Sequence, residues 1–180
     1  TYNYGIRNYE RGNDFNFIRI LSDNAFRNLV EKNHAYSTTK DGFLEVVDPD
    51  GYKFLIGKNE RNSSENLLTE LSLFNTNIEN SKTYWSNILL GKVIESNLEH
   101  VTFKFDNLDF FRLNLTKSAS EKIDHSKAYG RVAFSCPTDD LKPLQALIEQ
   151  HGHKVLTPFI SLDTPNKATV SVVILADPDG

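Results

Sequence analysis

The sequence contains no methionine and only one cysteine, Cys136, among its 180 residues. A single thiol cannot form an internal disulfide, so the chain is not a disulfide-stapled secreted domain and suits a reducing compartment. Because an initiator methionine is missing, we expect the chain to be part of a longer protein. Its localisation, cytoplasmic or mitochondrial, stays open at this point.

Long apolar runs and basic clusters are missing as well. No stretch approaches the roughly 20 apolar residues that a membrane-spanning helix needs, so we expect no membrane partner. The 20 Lys and Arg residues are outnumbered by 24 Asp and Glu residues, and the two signs are interspersed. Since no basic stripe is present to neutralise phosphates, we expect no nucleic-acid partner.

A repeated turn is the clearest pattern that is present. The tetrapeptide Asp-Pro-Asp-Gly occurs at Asp48–Gly51 and again at Asp177–Gly180. Proline presets φ at the second turn position and glycine accepts a positive φ, so each copy predicts a tight turn. The apolar stretches Phe43–Val47 and Val170–Ala176 predict strands that enter these turns, and Tyr52–Ile56 predicts a strand that leaves the first one.

A strand and then a helix precede each copy of the turn. Phe15–Leu21 carries β-type residues, and Ser22-Asp23-Asn24 is a helix cap ahead of apolar residues at helical spacing. Arg131–Cys136 alternates in the same way before the helix that Pro137-Thr138-Asp139 begins. The pattern therefore predicts two strand-helix pairs.

A third copy of the pattern lies between these two. Leu71–Phe74 predicts a short strand, and a helical face then ends at Gly91 with the apolar residues Tyr84, Trp85, Ile88 and Leu89. Three further strands are predicted at Lys92–Ser96, Val101–Phe105 and Phe110–Leu115. The chain thus repeats a strand-helix-strand-strand-strand unit about every 60 residues.

This repeat resembles the βαβββ module of the vicinal-oxygen-chelate superfamily, the proteins of the glyoxalase fold. Thr1–Gly5 with Gly12 resembles the junction between the modules of glyoxalase I (lactoylglutathione lyase), and Val47–Lys53 looks like its last hairpin. Three segments are similar to the glyoxalase domain-containing branch of the superfamily, namely Ala128–Pro137, Leu156–Pro165 and Lys167–Gly180.

The resemblance implies an α+β fold of tandem βαβββ modules that pair into glyoxalase-fold half-barrels. Residues 1–12 would be the tail of a truncated first module, and 13–66 the second module. Residues 67–127 would form the third module and 128–180 a fourth that lacks its last strand. Because one module leaves an exposed sheet edge, we expect modules to pair within the chain, and a homodimer stays open.

In this superfamily each module of a pair gives a central divalent metal one ligand from its first strand and one from its last. In the second module these positions fall on Phe17 and Leu55, which have no donor atoms, with Arg19 on the face of Phe17. The resemblance pairs this module with the truncated first one. We therefore expect no metal cofactor there; zinc or nickel would bind only if this interpretation is wrong.

For the third and fourth modules, taken as the other pair, the corresponding positions are Glu70, Asn114 and Arg131. Glu70 is the candidate catalytic carboxylate, and Asn114 and Arg131 are candidate ligand-binding residues. A guanidinium is always cationic and repels a metal ion, so we expect an ion pair between Glu70 and Arg131. The alternative is that both side chains reach solvent.

Two further ligand-binding candidates come from the resemblance to glutathione-binding relatives. Asn3 matches an asparagine that contacts the glutamyl group of glutathione, and Lys167 would hold an anion; an ordinary turn asparagine and a solvated lysine are the alternatives. Cys136 alternates onto the face of Val132 and Phe134, so we expect this thiol in a core rather than acting as a nucleophile.

Two functional hypotheses follow. The first is an enzyme of the glyoxalase I class that acts on the adduct of methylglyoxal and glutathione, with glutathione or that adduct as the partner. The second is a non-catalytic small-molecule-binding or protein-interaction scaffold. Fold alone does not separate them. Phe17, Leu55 and Arg131 favour the second hypothesis, because catalysis in this fold depends on the metal.

Overall fold

A computed structural model of the chain describes residues 10–59, 67–106, 108–126, 130–163 and 168–180. The chain divides into a first unit, Thr1–Ile78 with Gly91–Tyr129, and a second unit, Glu79–Leu90 with Gly130–Gly180. Within the described ranges, no helix has the length and apolar character that a membrane crossing requires.

The first half of the first unit, over its described residues 10–59, contains one helix and four strands. The strand β1 (Phe15–Leu21) ends at Ser22, whose hydroxyl accepts a hydrogen bond from the Ala25 amide at 3.1 Å and so caps helix α1 (Asp23–Glu31). The remaining strands are β2 (Ser37–Thr38), β3 (Leu44–Val47) and β4 (Lys53–Gly57). The predicted strand-helix start is therefore confirmed.

The first Asp-Pro-Asp-Gly turn joins β3 to β4. The Gly51 amide donates to the Asp48 carbonyl at 2.8 Å, and Gly51 has a φ of 85°, which a residue with a Cβ rarely adopts. The Asp48 carboxylate also accepts from the Tyr52 amide at 2.7 Å. The predicted tight turn is confirmed, and it fixes the register of the β3–β4 hairpin.

The other half of the first unit supplies four more strands, β5 (Leu67–Asn75), β6 (Lys92–Ser96), β7 (His100–Lys104) and β8 (Arg112–Lys117). Alternate residues of β7 and β8 are almost fully buried, namely Val101, Phe103, Leu113 and Leu115. The residues between them are partly exposed, so these strands have one apolar and one polar face. The apolar face forms the core of the unit.

All eight strands belong to one mixed sheet with the order β2-β3-β4-β1-β5-β8-β7-β6. Its centre is the antiparallel pair of β1 and β5, which joins the second predicted module to the third. The sequence analysis instead grouped the second module with the first and the third with the fourth. The structure corrects this pairing, because the positions expected in separate sites lie on one sheet.

In the described part of the second unit there are a helical segment, one longer helix and a strand pair. Helix α2 (Ile78–Thr83), which begins at the last residue of the first unit, leads into a π-helical turn, Tyr84–Ile88. Helix α3 (Thr138–Gln150) is followed by the antiparallel strands β9 (Val155–Leu162) and β10 (Val170–Leu175). Three residues of the predicted apolar helix face are buried, namely Tyr84, Trp85 and Ile88.

The second Asp-Pro-Asp-Gly turn repeats the hydrogen bond of the first. The Gly180 amide donates to the Asp177 carbonyl at 3.1 Å, and Gly180 has a positive φ of 123°. Strand β10 ends immediately before it, at Leu175, one residue earlier than the sequence predicts. The turn repeat seen in the sequence is therefore also a structural repeat.

One predicted strand and one predicted core residue are wrong. Residues 131–136 form neither strand nor helix, and Val132 and Phe134 are each more than a third exposed. Cys136 is likewise exposed rather than buried in a core. Alternation gives a segment two faces, but a strand forms only where a neighbouring strand pairs with its backbone. The described part of the chain provides no such neighbour for this segment.

Candidate small-molecule site

The register of the central strands aligns side chains in rows across the sheet. In the first row, Arg19 on β1 lies between Leu55 and Glu70, and Glu70 in turn lies beside Arg112 on β8. The second row runs across five strands through Phe17, Ser72, Asn114, Thr102 and Glu95. Positions that are far apart in sequence thus meet on one sheet face.

A cleft of about 480 Å³ lies on this face, within the first unit. Its walls include two arginines, Arg19 and Arg112, and three carboxylates, Glu70, Glu95 and Glu99. Its other lining residues are polar but neutral or weakly basic, namely His100, Thr102, Asn114 and Thr116. The cleft is therefore a strongly polar site with charges of both signs.

Glu70 and Arg19, two residues of the cleft lining, form an ion pair. The Glu70 carboxylate lies 2.6 Å from Nη1 of Arg19, and its side chain is only 9% exposed. The guanidinium of Arg19 also lies over the ring of Phe43, 4.8 Å from its centroid, and over that of Phe17 at 5.6 Å. This pairing compensates the charge of a nearly buried carboxylate.

Arg112 is positioned by the backbone just before its own strand. Its Nη1 donates to the carbonyls of Phe111 at 2.9 Å and Asp109 at 3.2 Å. Among the described residues, the hydrogen bonds of the Arg112 guanidinium are these two from Nη1, and Arg112 lines the cleft. Arg112 was not predicted from the sequence, although it is two residues from Asn114 and so must share its face.

Glu95 and Glu99 make the opposite end of the cleft acidic. Glu95 lies 2.9 Å from Nε2 of His100, and the amide nitrogen of Asn97 lies 3.2 Å from the other ring nitrogen, Nδ1. Because an amide nitrogen only donates, Nδ1 accepts and Nε2 carries the hydrogen that is donated to Glu95. His100 is therefore fixed in one tautomer, with its imidazole held beside the cleft.

Four of the five positions that the resemblance assigns to metal ligands, all except Arg131, meet on this sheet face, but their side chains do not fit a divalent cation. Phe17 and Leu55 have no donor atom, and Glu70 is paired with a cationic guanidinium that repels a metal ion. Asn114 retains a carbonyl oxygen that has no hydrogen-bond partner in the described structure. One amide oxygen and one neutralised carboxylate are a poor donor set.

In the described ranges, no three His, Cys, Asp or Glu side chains are arranged to hold a metal ion. That the chain binds no divalent metal nevertheless stays a prediction, which metal analysis of the protein must test.

The remaining predicted site residues have different outcomes. Asn3 and Lys167 lie outside the described residues. Arg131 is exposed and belongs to the second unit, whereas Glu70 belongs to the first. The predicted Glu70–Arg131 ion pair stays a prediction, and the cationic partner that the structure gives Glu70 is Arg19. Asn114 lines the cleft with Glu70, as their shared register requires.

Comparison with known proteins places this geometry in context. A family model described as the glyoxalase domain-containing protein 4-like, C-terminal domain matches residues 77–180. Glyoxalase domain-containing protein 4 of Mus musculus is 39% identical over the whole chain, and Glyoxalase 1 of Caenorhabditis elegans is 38% identical over 99% of it. The chain spans 60% and 61% of these relatives' lengths.

Solved structures give the same fold. A glyoxalase I mutant from Zea mays superposes over 99% of this chain and 69% of its own, with a TM-score of 0.74 and 20% sequence identity. At that identity the likeness concerns the fold alone. It agrees with the α+β arrangement of glyoxalase-fold modules that the sequence predicts.

Proposed function

Because the chain belongs to the glyoxalase domain-containing protein 4 family, we propose that its first unit binds a small zwitterionic molecule of the glutathione type and does not catalyse metal-assisted isomerisation. One observation carries the proposal. The cleft presents arginines in one row of the sheet and carboxylates at its other end, with neutral hydrogen-bonding groups between them.

The arginine row suits a carboxylate of the ligand. Arg112 is held by two backbone carbonyls, so its remaining donors need little ordering to bind an anion. A planar guanidinium matches a carboxylate in two parallel hydrogen bonds. Arg19 is already paired with Glu70, which makes Arg112 the principal anion-binding group of this proposal.

The other side of the cleft suits an ammonium group and amides. Glu95 and Glu99 supply negative charge at that end. The hydroxyls of Thr102 and Thr116 and the amide of Asn114 donate and accept hydrogen bonds, which matches the peptide groups of a short peptide. Glutathione carries carboxylates, an ammonium and two amides in one molecule, and so complements all three parts of the lining.

The same arrangement argues against isomerase chemistry. Stabilisation of an enediolate in this fold depends on a metal ion, and Glu70, the only carboxylate of the first row on the central strands, is neutralised by Arg19. A proton acceptor without the ion supplies only about 10²–10⁴-fold of rate acceleration. We therefore expect binding with weak or absent turnover.

Isothermal titration of the chain with glutathione and with S-lactoylglutathione tests the binding proposal. We expect Arg112→Gln to weaken binding about 10- to 100-fold, because a charge-assisted hydrogen bond contributes roughly 1.5–3 kcal/mol. Arg27→Gln is the matched control, since Arg27 lies on α1, is not part of the cleft lining and donates a hydrogen bond to Asn24 of its own helix. Absence of binding by the wild-type chain, or equal losses in both variants, would reject the proposal.

Glyoxalase activity is the second candidate function, and the 38% identity to a protein named Glyoxalase 1 favours it. Its test is turnover of the methylglyoxal–glutathione adduct by the purified chain, with zinc, nickel or manganese added in separate reactions. A rate typical of enzymes that disappears in Glu70→Gln would replace the binding proposal with the catalytic one. Turnover unaffected by Glu70→Gln would indicate a contaminating enzyme.

A further inference from the structure

The strand β6 ends the eight-stranded sheet, so one side of its backbone faces away from the sheet. All of its residues, Lys92–Ser96, are exposed. They include two large aliphatic side chains, Val93 at 38% and Ile94 at 52%, and the adjoining turn exposes Leu98 at 83%. An exposed sheet edge with apolar side chains is a template for pairing with a further strand.

A bulge in β6, between Val93 and Glu95, determines which of its side chains lie on the cleft face of the sheet and which on the apolar face. Lys92 pairs with Lys104 and Glu95 with Thr102, and these two β7 residues share a face because they are two apart. Val93 pairs with Phe103, which lies on the opposite, apolar face. Lys92 and Glu95 therefore share the cleft face although they are three residues apart.

The sequence Lys92-Val93-Ile94-Glu95 is complementary to itself when two copies run antiparallel. Lys92 then lies opposite Glu95 of a second copy, and Val93 lies opposite Ile94 of that copy. Two-fold symmetry repeats each pair, which gives two opposite-charge pairs and two aliphatic pairs across the new edge. We propose that β6 mediates homodimerisation of this chain in that register.

The charges of β6 favour its own copy over other strands. Charged residues and bulges usually protect an edge against arbitrary strands. In the proposed register the charged residues instead lie opposite residues of opposite charge in the second copy. A shift by one residue would bring Lys92 opposite Ser96 and leave the charges unmatched. Lys92 now lies 2.7 Å from Asp106 and Glu95 lies 2.9 Å from His100, but these exposed pairs exchange at small cost.

The dimer would also change the cleft. Glu95 lines its acidic end, so Lys92 of the second copy would add a positive charge beside that end. The partner copy would thus contribute a residue to the rim of the site. This inference stands on the edge strand alone and does not require that the cleft bind glutathione.

Sedimentation equilibrium of the chain across a range of concentrations tests the proposal. We expect a reversible monomer–dimer equilibrium that Ile94→Lys abolishes. We expect Val47→Lys to leave it unchanged, because Val47 is a 56% exposed residue of β3 in the other half of the sheet. A chain that stays monomeric at all concentrations, or a dimer that Ile94→Lys does not affect, overturns the proposal.

A charge exchange tests the register. Lys92→Glu and Glu95→Lys should each raise the dimer dissociation constant about tenfold, because each places like charges opposite one another twice. The double variant should recover most of the wild-type affinity. It loses the Lys92–Asp106 ion pair and the Glu95–His100 hydrogen bond within the chain as well, so recovery can come only from the contact between copies. A double variant as weak as the single variants overturns the register.

Discussion

Two residues at the cleft, Glu70 and Asn114, are assigned as first-strand and last-strand positions through the family resemblance. Asn114 lies within the predicted strand Phe110–Leu115, whereas Glu70 lies one residue before the predicted strand Leu71–Phe74. The partner of Glu70 does not follow from alternation. It depends on the antiparallel pairing of β1 with β5, whose register shifts twice along the strands. Sequence therefore predicts which face a residue occupies, whereas the ion pair between Arg19 and Glu70 requires the long-range pairing.

Arg19→Met tests the energetic role of that pair. Removing the guanidinium leaves the nearly buried Glu70 carboxylate without its ion-pair partner, so we expect the free energy of unfolding to fall by about 2 kcal/mol. This loss is smaller than is usual for a broken buried ion pair, because Arg112 lies beside Glu70 on the neighbouring strand. The double variant Arg19→Met, Glu70→Met should recover most of this loss. Urea unfolding of all three proteins measures the effect, and equal stability of the single and double variants would contradict it.

Cys136 has a thiol pKa raised above its ordinary value, first by partial desolvation and then by the negative charge of Asp140. A raised pKa leaves less reactive thiolate near neutral pH, so we expect slow alkylation despite the exposure of the residue. Asp140→Asn should shift the pH profile of alkylation to lower pH and increase the rate at a fixed pH. Asp139→Asn is the neighbouring control; an equal shift in both variants would show that any acid of this helix start acts alike.

At the scale of elements, two strands of the eight-stranded sheet agree closely with their sequence prediction. Lys92–Ser96 agrees at both ends, and Phe15–Leu21 agrees up to its helix cap. Arg131–Cys136 has an equally clear alternation but no partner strand among the described residues, and it is not a strand. The strand Val155–Leu162 was not predicted; it contains Pro158, which lacks an amide donor and is tolerated in this two-stranded sheet.

The π-helical turn gives a prediction for alkaline pH. Tyr84 is 2% exposed, and its pKa is raised well above 10, first by burial and then by Asp177. Folding stability from a raised pKa is present below the unfolded value near 10 and is lost as pH rises toward the folded value. Between about pH 10 and pH 12 we expect a loss near 1.4 kcal/mol per pH unit from this residue.

Comparison of Tyr84→Phe with the wild-type chain isolates that contribution. The variant cannot ionise at this position, so its unfolding free energy should decrease less steeply in the same pH interval. Tyr36→Phe is the control, because it removes a tyrosine hydroxyl from a position that is 41% exposed. If both variants show the wild-type slope, ionisation of Tyr84 does not limit the alkaline stability of the second unit.

For the whole molecule, the sequence repeat predicts the α+β modules but not which modules share a sheet. In the second and third modules the first strand pairs with the last strand of its own module and leaves its other edge for a partner, and local patterns do not distinguish one partner from another. The structure joins β1 to β5, so Phe17, Leu55, Glu70 and Asn114 meet on one face of the same sheet. Contacts between residues about 50 positions apart, such as the pair of Arg19 with Glu70, determine which modules share a sheet.

Because Phe17, Leu55, Glu70 and Asn114 meet on one sheet face, metal uptake by the chain tests directly whether their side chains can bind a metal ion. We expect the dialysed wild-type protein to retain less than about one zinc per ten chains, because a tetrahedral zinc site needs three or four donors and Arg19 adds a repelling charge. The triple variant Phe17→His, Arg19→Gln, Leu55→Glu supplies two donors beside Glu70 and Asn114 and removes that charge. It should retain roughly one zinc per chain by elemental analysis.

The same variant with Arg19 kept isolates the guanidinium. Phe17→His with Leu55→Glu has the same added donors, but the cation beside Glu70 still competes for that carboxylate. We therefore expect weaker uptake than in the triple variant, even though both retain the same sheet and the same strand register. Stoichiometric zinc in the wild-type protein would overturn the argument at its first step, since a metal would then be held by the side chains that are already present.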